Sequence, residues 1–401
     1  ELAARLELSI QLTLGAALTA AEGFASPGVE GCYARARELC AASADPAELL
    51  PVLCGLGSFY TVRGDLASAH TLAERMLELG ANTGCSDLQL WGHVALGVTQ
   101  LNLGSLASAE THLSASLSLY DPARHAHHAL LFGQDARIIG LIHLSRAAWL
   151  LGRPEQALAE QARALELARE LSHPFSYTYA LAFGAWLAQL LSDPASCAHW
   201  ADAAIASARE HGFALLLAGP LVARGWAACA GGDPAAGLEI MREGLALYEA
   251  TGAELTMPGM LGLLALVLAQ TGDLGGALRT ADSARRFSIR HRELIFRAEI
   301  ERLIAELTLT RSDVLSASGR ARRRKQASLK ASLALKIARA QGAPMLILRA
   351  ALTRVRAAST PQQRRAALRD LDLSAAQFPP DSPLVEVRWA RSALSEGPSG
   401  S

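Results

Sequence analysis

A two-residue turn marker recurs along the chain at Gly64-Asp65, Gly104-Ser105, Gly152-Arg153, Ser192-Asp193, Gly232-Asp233 and Gly272-Asp273, with successive spacings of 40, 48, 40, 40 and 40 residues. Five residues after the start of each marker stands a small side chain: Ala69, Ala109, Ala157, Cys197, Gly237 and Ala277. Seven residues before it stands another: Gly57, Gly97, Ser145, Ala185, Gly225 and Ala265. The chain is rich in small residues, so one such match means little, but a match at both offsets in every unit requires a physical cause. Helix axes pack about 8–10 Å apart, and small residues at both crossing points bring two helices to the near end of that range.

The two small positions in each unit are separated by enough chain for the end of one helix, a tight turn and the start of a second helix running back. The marker glycine supplies the left-handed conformation that ends a helix, and the Asp or Ser after it caps the next. Pro154, Pro194 and Pro234 then fall in the first turn, where a missing N–H costs nothing. Apolar residues follow helical spacing on both arms, as in Leu53, Leu56 and Tyr60 before the first marker and Leu72, Met76 and Leu79 after it. A lone hairpin of this kind has no cover for its second apolar face, so the units must stack. Composition agrees, with 51% hydrophobic but only 5% aromatic residues, and no alternating run reads as a strand. The expected fold is all-α, an α-solenoid (superhelix) of antiparallel helical hairpins with a period of about 40 residues.

This small–turn–small pattern resembles the tetratricopeptide repeat, whose standard unit is shorter, about 34 residues. The repeat array is expected over residues 1–315, with a less regular unit at Leu6 to Cys40 and one insertion at Tyr120 to Asp135. Residues 316–330 read as a basic linker or insertion, residues 331–392 as further helical hairpins, and residues 393–401 as a disordered tail. Helical patterns continue at Glu293 to Leu309, Gln326 to Gln341, Met345 to Ala357 and Gln362 to Leu373. Leu2, Leu6, Ile10 and Leu14 place the start of the chain inside a helix, as expected of a piece of a longer protein.

A more particular likeness lies in the strings Glu38-Leu39-Cys40, Tyr120-Asp121-Pro122 with His125, Gly133-Gln134-Asp135, Trp149-Leu150-Leu151-Gly152, His173-Pro174-Phe175-Ser176 and Ala250-Thr251-Gly252-Ala253-Glu254-Leu255. They resemble the C-terminal tetratricopeptide-like region of bacterial signalling proteins that join a class III nucleotide cyclase, or another effector, to an AAA/STAND-type ATPase. The likeness departs at Ser316 to Lys325 and at Asp135-Ala136-Arg137, where Asp-Pro-Gly is expected. It implies that cyclase or ATPase chemistry lies upstream in the same polypeptide, and that the repeats are a cytoplasmic regulatory module contacting those domains.

Several function classes are excluded or disfavoured. Basic and acidic residues balance at 38 each, which removes the global electrostatic argument for a nucleic-acid binder. Lysine occurs only at Lys325, Lys330 and Lys336, so no P-loop or kinase lysine is available earlier. No membrane span is expected, since the longest apolar stretch, around Met260 to Ala269, is far short of about 20 residues. Cys32, Cys40, Cys54, Cys85, Cys197 and Cys229 form no CxxC pair and read as small buried residues of a reducing compartment. No GxSxG elbow or phosphate loop is present, Glu166 and Glu170 flank Arg163 and Arg169 as a solvated helix face, and no cofactor is implied.

Three groups remain as candidate sites. His125, His127 and His128, flanked by Asp121 and Asp135, are metal-ligand types without a spacing that fixes a tetrahedral set, and read as a polar loop. The run Arg320-Ala321-Arg322-Arg323-Arg324-Lys325 has no interleaved aromatic for base stacking and reads as a linker. The third group comes from the repeat. In tetratricopeptide arrays the first helix of each hairpin lines the concave face, and the residue after the small position projects inward. That register selects Arg146, Trp186 and Trp226, with Tyr179 and Gln189 on the same face. Two readings stay open: an anchor set for a peptide, protein or small ligand in the groove, or rings enclosed as core.

Overall fold

The computed structural model describes residues 2–23, 25–39, 46–310 and 316–396. They form 21 helices and no strand. Hairpins pair α1 (Leu2–Glu22) with α2 (Pro27–Leu39), α3 (Pro46–Val62) with α4 (Leu66–Thr83), and α5 (Ser86–Asn102) with α6 (Leu106–Leu119). Two short helices, α7 (Pro122–His125) and α8 (His128–Phe132), fill the expected insertion. The series resumes with α9 (Ala136–Leu150) and α10 (Pro154–Leu171), α11 (Pro174–Leu190) and α12 (Pro194–His211), and α13 (Ala214–Ala230) and α14 (Pro234–Ala250). It continues with α15 (Met257–Gln270) and α16 (Leu274–Arg290), α17 (Arg297–Thr310) and α18 (Ala317–Gln341), α19 (Pro344–Ala357) and α20 (Pro361–Ala375), and ends on α21 (Val385–Ser395).

The turn chemistry explains why the helices stop where they do. Gly64, Gly104, Gly152, Gly232 and Gly272 all have positive φ, and Ser192 adopts the same conformation at φ 60°. Asp65, Asp193, Asp233 and Asp273 then accept hydrogen bonds from the backbone N–H groups of Ser68, Ser196, Ala236 and Gly276, which caps the following helix. The small pairs lie where the two helices cross. The Ser145 hydroxyl donates to the Ala157 carbonyl at 2.7 Å. A methyl group placed on Gly225 would stand 2.5 Å from the carbonyl oxygen of Gly237, so at this crossing backbone meets backbone. Eleven of the twelve small positions are buried, and Gly57 is half-buried.

By contacts the chain divides into two compact units, Glu1–Ala147 with Glu155–Leu255, and Ala148–Pro154 with Thr256–Ser401. Within the first, the stack turns until it meets itself. The Val62 carbonyl at the end of α3 accepts from the amides of Glu254 and Leu255 at 2.9 and 3.1 Å, and the Arg63 guanidinium donates to the Gly252 carbonyl at 3.4 Å. The first helices of successive hairpins thereby form an inner wall. The second unit is tied by charge as well as apolar packing. The fully buried Glu301 takes Arg297 at 2.6 Å and Lys330 at 2.9 Å, while Arg349 pairs with Glu386 and lies 4.9 Å over the Trp149 ring. Burial by itself would raise the Glu299 carboxyl, but Arg302 and Arg349 outweigh it and hold it down at about 2.

Two expectations need correction. The segment 316–330 is not a linker: Ser316 caps α18, which runs unbroken to Gln341, because Ala and unbranched Arg, Lys and Leu side chains favour helix and nothing breaks it. The expected tail begins too early, since residues 393–395 complete α21; residues 397–401 lie outside the described residues, as does Cys40. On α1, Leu6, Ile10 and Leu14 are 62%, 54% and 45% exposed.

Two substitutions with opposite signs test this account. Gly225→Ala is expected to destabilise the first unit by about 1–3 kcal/mol, because the added methyl group must push two backbones apart. Ser192→Gly is expected to stabilise it by up to about 1 kcal/mol by removing left-handed strain. Urea midpoints measured by circular dichroism distinguish the two, and equal shifts would mean that the crossing is not tight.

Candidate functional site: the inner wall of the first unit

The stripe Tyr179, Phe183 and Trp186 on α11 is half-buried, whereas every residue of α9 from Ile138 to Leu150 is buried. The wall therefore opens at α11 and is closed at α9. Arg146, expected to project into a groove, is only 6% exposed, a correction to its reading as a surface anchor. Its guanidinium lies 5.5 Å over the Phe183 ring, and Tyr179 packs on the same ring at 4.6 Å.

His143 joins these groups. Its Nδ1 is 3.3 Å from an Arg146 nitrogen and its Nε2 is 3.0 Å from the Tyr179 hydroxyl. A guanidinium can only donate, so Nδ1 is the acceptor and the ring proton sits on Nε2, which donates to the Tyr179 oxygen. That leaves the Tyr179 O–H to donate to another group. Burial first, then the Arg146 charge, pushes His143 well below the usual imidazole range, and burial pushes the Tyr179 phenol up. Both are neutral near pH 7.

Trp186 does not stack on Trp226; it lies against α13 at Gly219, where a methyl group would come within 3.4 Å of its Nε1. Trp226 packs against the small-residue cluster of Ala185, Cys197, Ala201 and Ala223. Gln189 is half-buried on the same helix as Trp186. Among the described residues, the two indole N–H groups and the Gln189 side-chain amide have no hydrogen-bond partner. So the structure joins Arg146 and Tyr179 through His143 and Phe183, residues that sequence reasoning missed. The signal was present: His143 and Phe183 are themselves 40 residues apart, each three positions before Arg146 and Trp186.

The histidines of the insertion have a different task. His125 accepts from the Asp121 amide at 2.8 Å and its Nε2 meets Asp87 at 3.0 Å, so both ring nitrogens are engaged. His128 accepts from the Trp91 indole at 3.2 Å, and burial lowers it to about 4. These contacts pin α7 and α8 to α5. Among the described residues no group of three ligand side chains is arranged to hold a metal ion, and no helix is long and apolar enough to cross a membrane.

Residues 139–170 and 260–283 match the tetratricopeptide repeat. No curated protein matches the sequence. Among solved structures, the chain is similar to a Rap protein complexed with competence and sporulation factor, at 12% identity over 92% of this chain and 98% of that one, with a TM-score of 0.57. It is also similar to NprR in complex with its cognate peptide NprX, at 14% identity over 92% and 99%, with a TM-score of 0.55. A STAND protein with a tetratricopeptide repeat sensor from Pyrococcus horikoshii matches at 12% identity over 92% and 54%, with a TM-score of 0.41, too low to argue from. The fold is a tetratricopeptide-like solenoid.

The lowered histidines set a pH dependence. Because His143 and His128 bind protons more readily unfolded than folded, stability is full above about pH 6.5 and is lost as pH falls below it. Urea midpoints are expected to stay level from pH 7.5 to about 6.5 and to fall from there to pH 5, and His143→Gln is expected to flatten that slope. An unchanged slope in the variant would show that His143 is not held neutral.

Proposed function

We propose that this chain is a non-catalytic binding and regulatory module whose inner wall takes an extended peptide or protein segment, or a small ligand of the same chemistry. One observation carries the reading. The half-open stripe of α11 and α13 presents Trp186, Gln189 and Trp226 with unpartnered donors beside large apolar faces, a combination suited to peptide carbonyls and side chains. Tyr179 adds a hydroxyl oriented by His143, and Arg146 acts from behind by holding that ring in place. The likeness to two structures solved with a bound factor or cognate peptide supports the choice of ligand class.

In the longer protein that the sequence resembles, the module acts in the cytoplasm on ATPase and cyclase domains in cis, or on the ATPase of a STAND-type transcription regulator. Small rotations between stacked hairpins add up to a change of curvature, and a ligand that favours one curvature shifts the whole equilibrium. A scaffold reading also has an observation in its favour, the exposed Leu6, Ile10 and Leu14 on α1. Sedimentation of the isolated chain separates the two: a stable dimer lost on Ile10→Glu supports the scaffold.

The binding reading is tested with a peptide panel screened against the wild-type chain and a double variant, Trp186→Ala with Trp226→Ala. Loss of binding of at least about tenfold with retained helical circular dichroism is expected, the scale of hot-spot truncation. Unfolding of the variant would instead show that the rings are structural.

A further inference from the structure

The balance of charge over the whole chain conceals a division. Residues 256–401 hold 24 Lys and Arg against 12 Asp and Glu, whereas residues 1–255 hold 14 against 26. Within the basic part, Arg285, Arg297, Arg302, Arg339, Arg349 and Lys330 sit in ion pairs. The block Arg322-Arg323-Arg324-Lys325 is a run of four consecutive cations. None of the four has an ion pair or hydrogen bond among the described residues. They lie in the first turns of α18, a helix of 25 residues without a single Asp or Glu.

The geometry of that helix is unusual in two respects. No residue from Ser318 to Gln326 is buried, Gly319 and Arg323 are half-buried, and burial begins at Ala327, so about 13 Å of helix precedes the packed part at about 1.5 Å per residue. Consecutive residues on a helix diverge by about 100°, so Arg322, Arg323, Arg324 and Lys325 point in four directions around the axis. This arrangement is unfavourable by itself, since like charges crowd one another and cations sit at the positive end of the helix dipole. In a mobile linker such charges would simply be solvated; on a rigid rod they form a collar.

We propose that the exposed start of α18 is a docking element for the phosphate backbone of a nucleic-acid duplex. An acidic peptide meets a helix from one side and would leave part of the collar unused. A duplex groove has phosphates on both walls, and a helix about 10–12 Å across with its side chains fits a major groove about 12 Å wide. The exposed Arg365 and Arg369 of α20 add a second basic pair to this unit. The exposed turns carry no aromatic, and Gln326 is their only amide, so the contact is to backbone and indifferent to base sequence.

Fluorescence anisotropy of the full chain with a labelled 20-base-pair duplex, from 50 to 200 mM salt, tests this. Four phosphate contacts predict that affinity falls about 100-fold over that range. Replacing the block, with Arg322→Gln, Arg323→Gln, Arg324→Gln and Lys325→Gln, is expected to remove most of that salt dependence and to weaken binding more than tenfold at 50 mM. Helical circular dichroism should be unchanged, and duplexes of unrelated sequence should bind alike. The pair Arg365→Gln with Arg369→Gln, on a different helix, gives a smaller loss in the same direction. No binding at 50 mM salt, or binding with an unchanged salt dependence in the four-glutamine variant, overturns the proposal. So does a wild-type chain that ignores the duplex but dimerises at low salt through the same block, which would assign the collar to the acidic surface of a second copy.

Discussion

Close approach of two helices at a pair of small side chains is the contact on which the rest of this structure depends. At Gly225 and Gly237 there is no side chain between the backbones, and at Ser145 and Ala157 a hydroxyl spans the gap. A larger residue at either position would push the arms apart and change the angle at which one hairpin meets the next. Because successive hairpins pack on one another, such errors accumulate along the stack. The uniform small pairs thus fix curvature as well as packing, and curvature brings Val62 to Glu254 and Leu255.

That meeting gives the first unit an inside. The first helices of the hairpins form a wall that carries polar groups, and those that are buried must be paired. At α9 they are paired: Arg146 donates to His143 and His143 to Tyr179, with burial keeping the imidazole neutral. On α11 and α13 the indoles and the Gln189 amide are not satisfied by the protein. The second unit uses charge differently, burying Glu301 between two cations while leaving a basic block at the exposed end of α18.

Much of the fold was legible because its determinants are local and periodic. The marker glycines, the capping aspartates and the small pairs are all fixed by short-range backbone geometry, and each appears in the structure where the spacing places it. The basic run was misread for a related reason. A dense block of like charge usually signals a solvated linker, but the alanines and leucines after it on α18 bury one face and extend the helix back through the block. His143 and Phe183 share the 40-residue spacing of the repeat, although those two were not selected.

The chain's periodicity thus determined the hairpin, its turn and the face each side chain occupies, since all three follow from dihedral preferences and helical repeat. It did not determine which inward residues meet solvent. Arg146, Trp186 and Trp226 occupy equivalent positions, yet one is buried under Phe183, one lies across Gly219 and one rests on an alanine cluster. Those outcomes depend on how tightly successive hairpins close, a quantity set by contacts between residues far apart in the chain, and only the tertiary structure decides it.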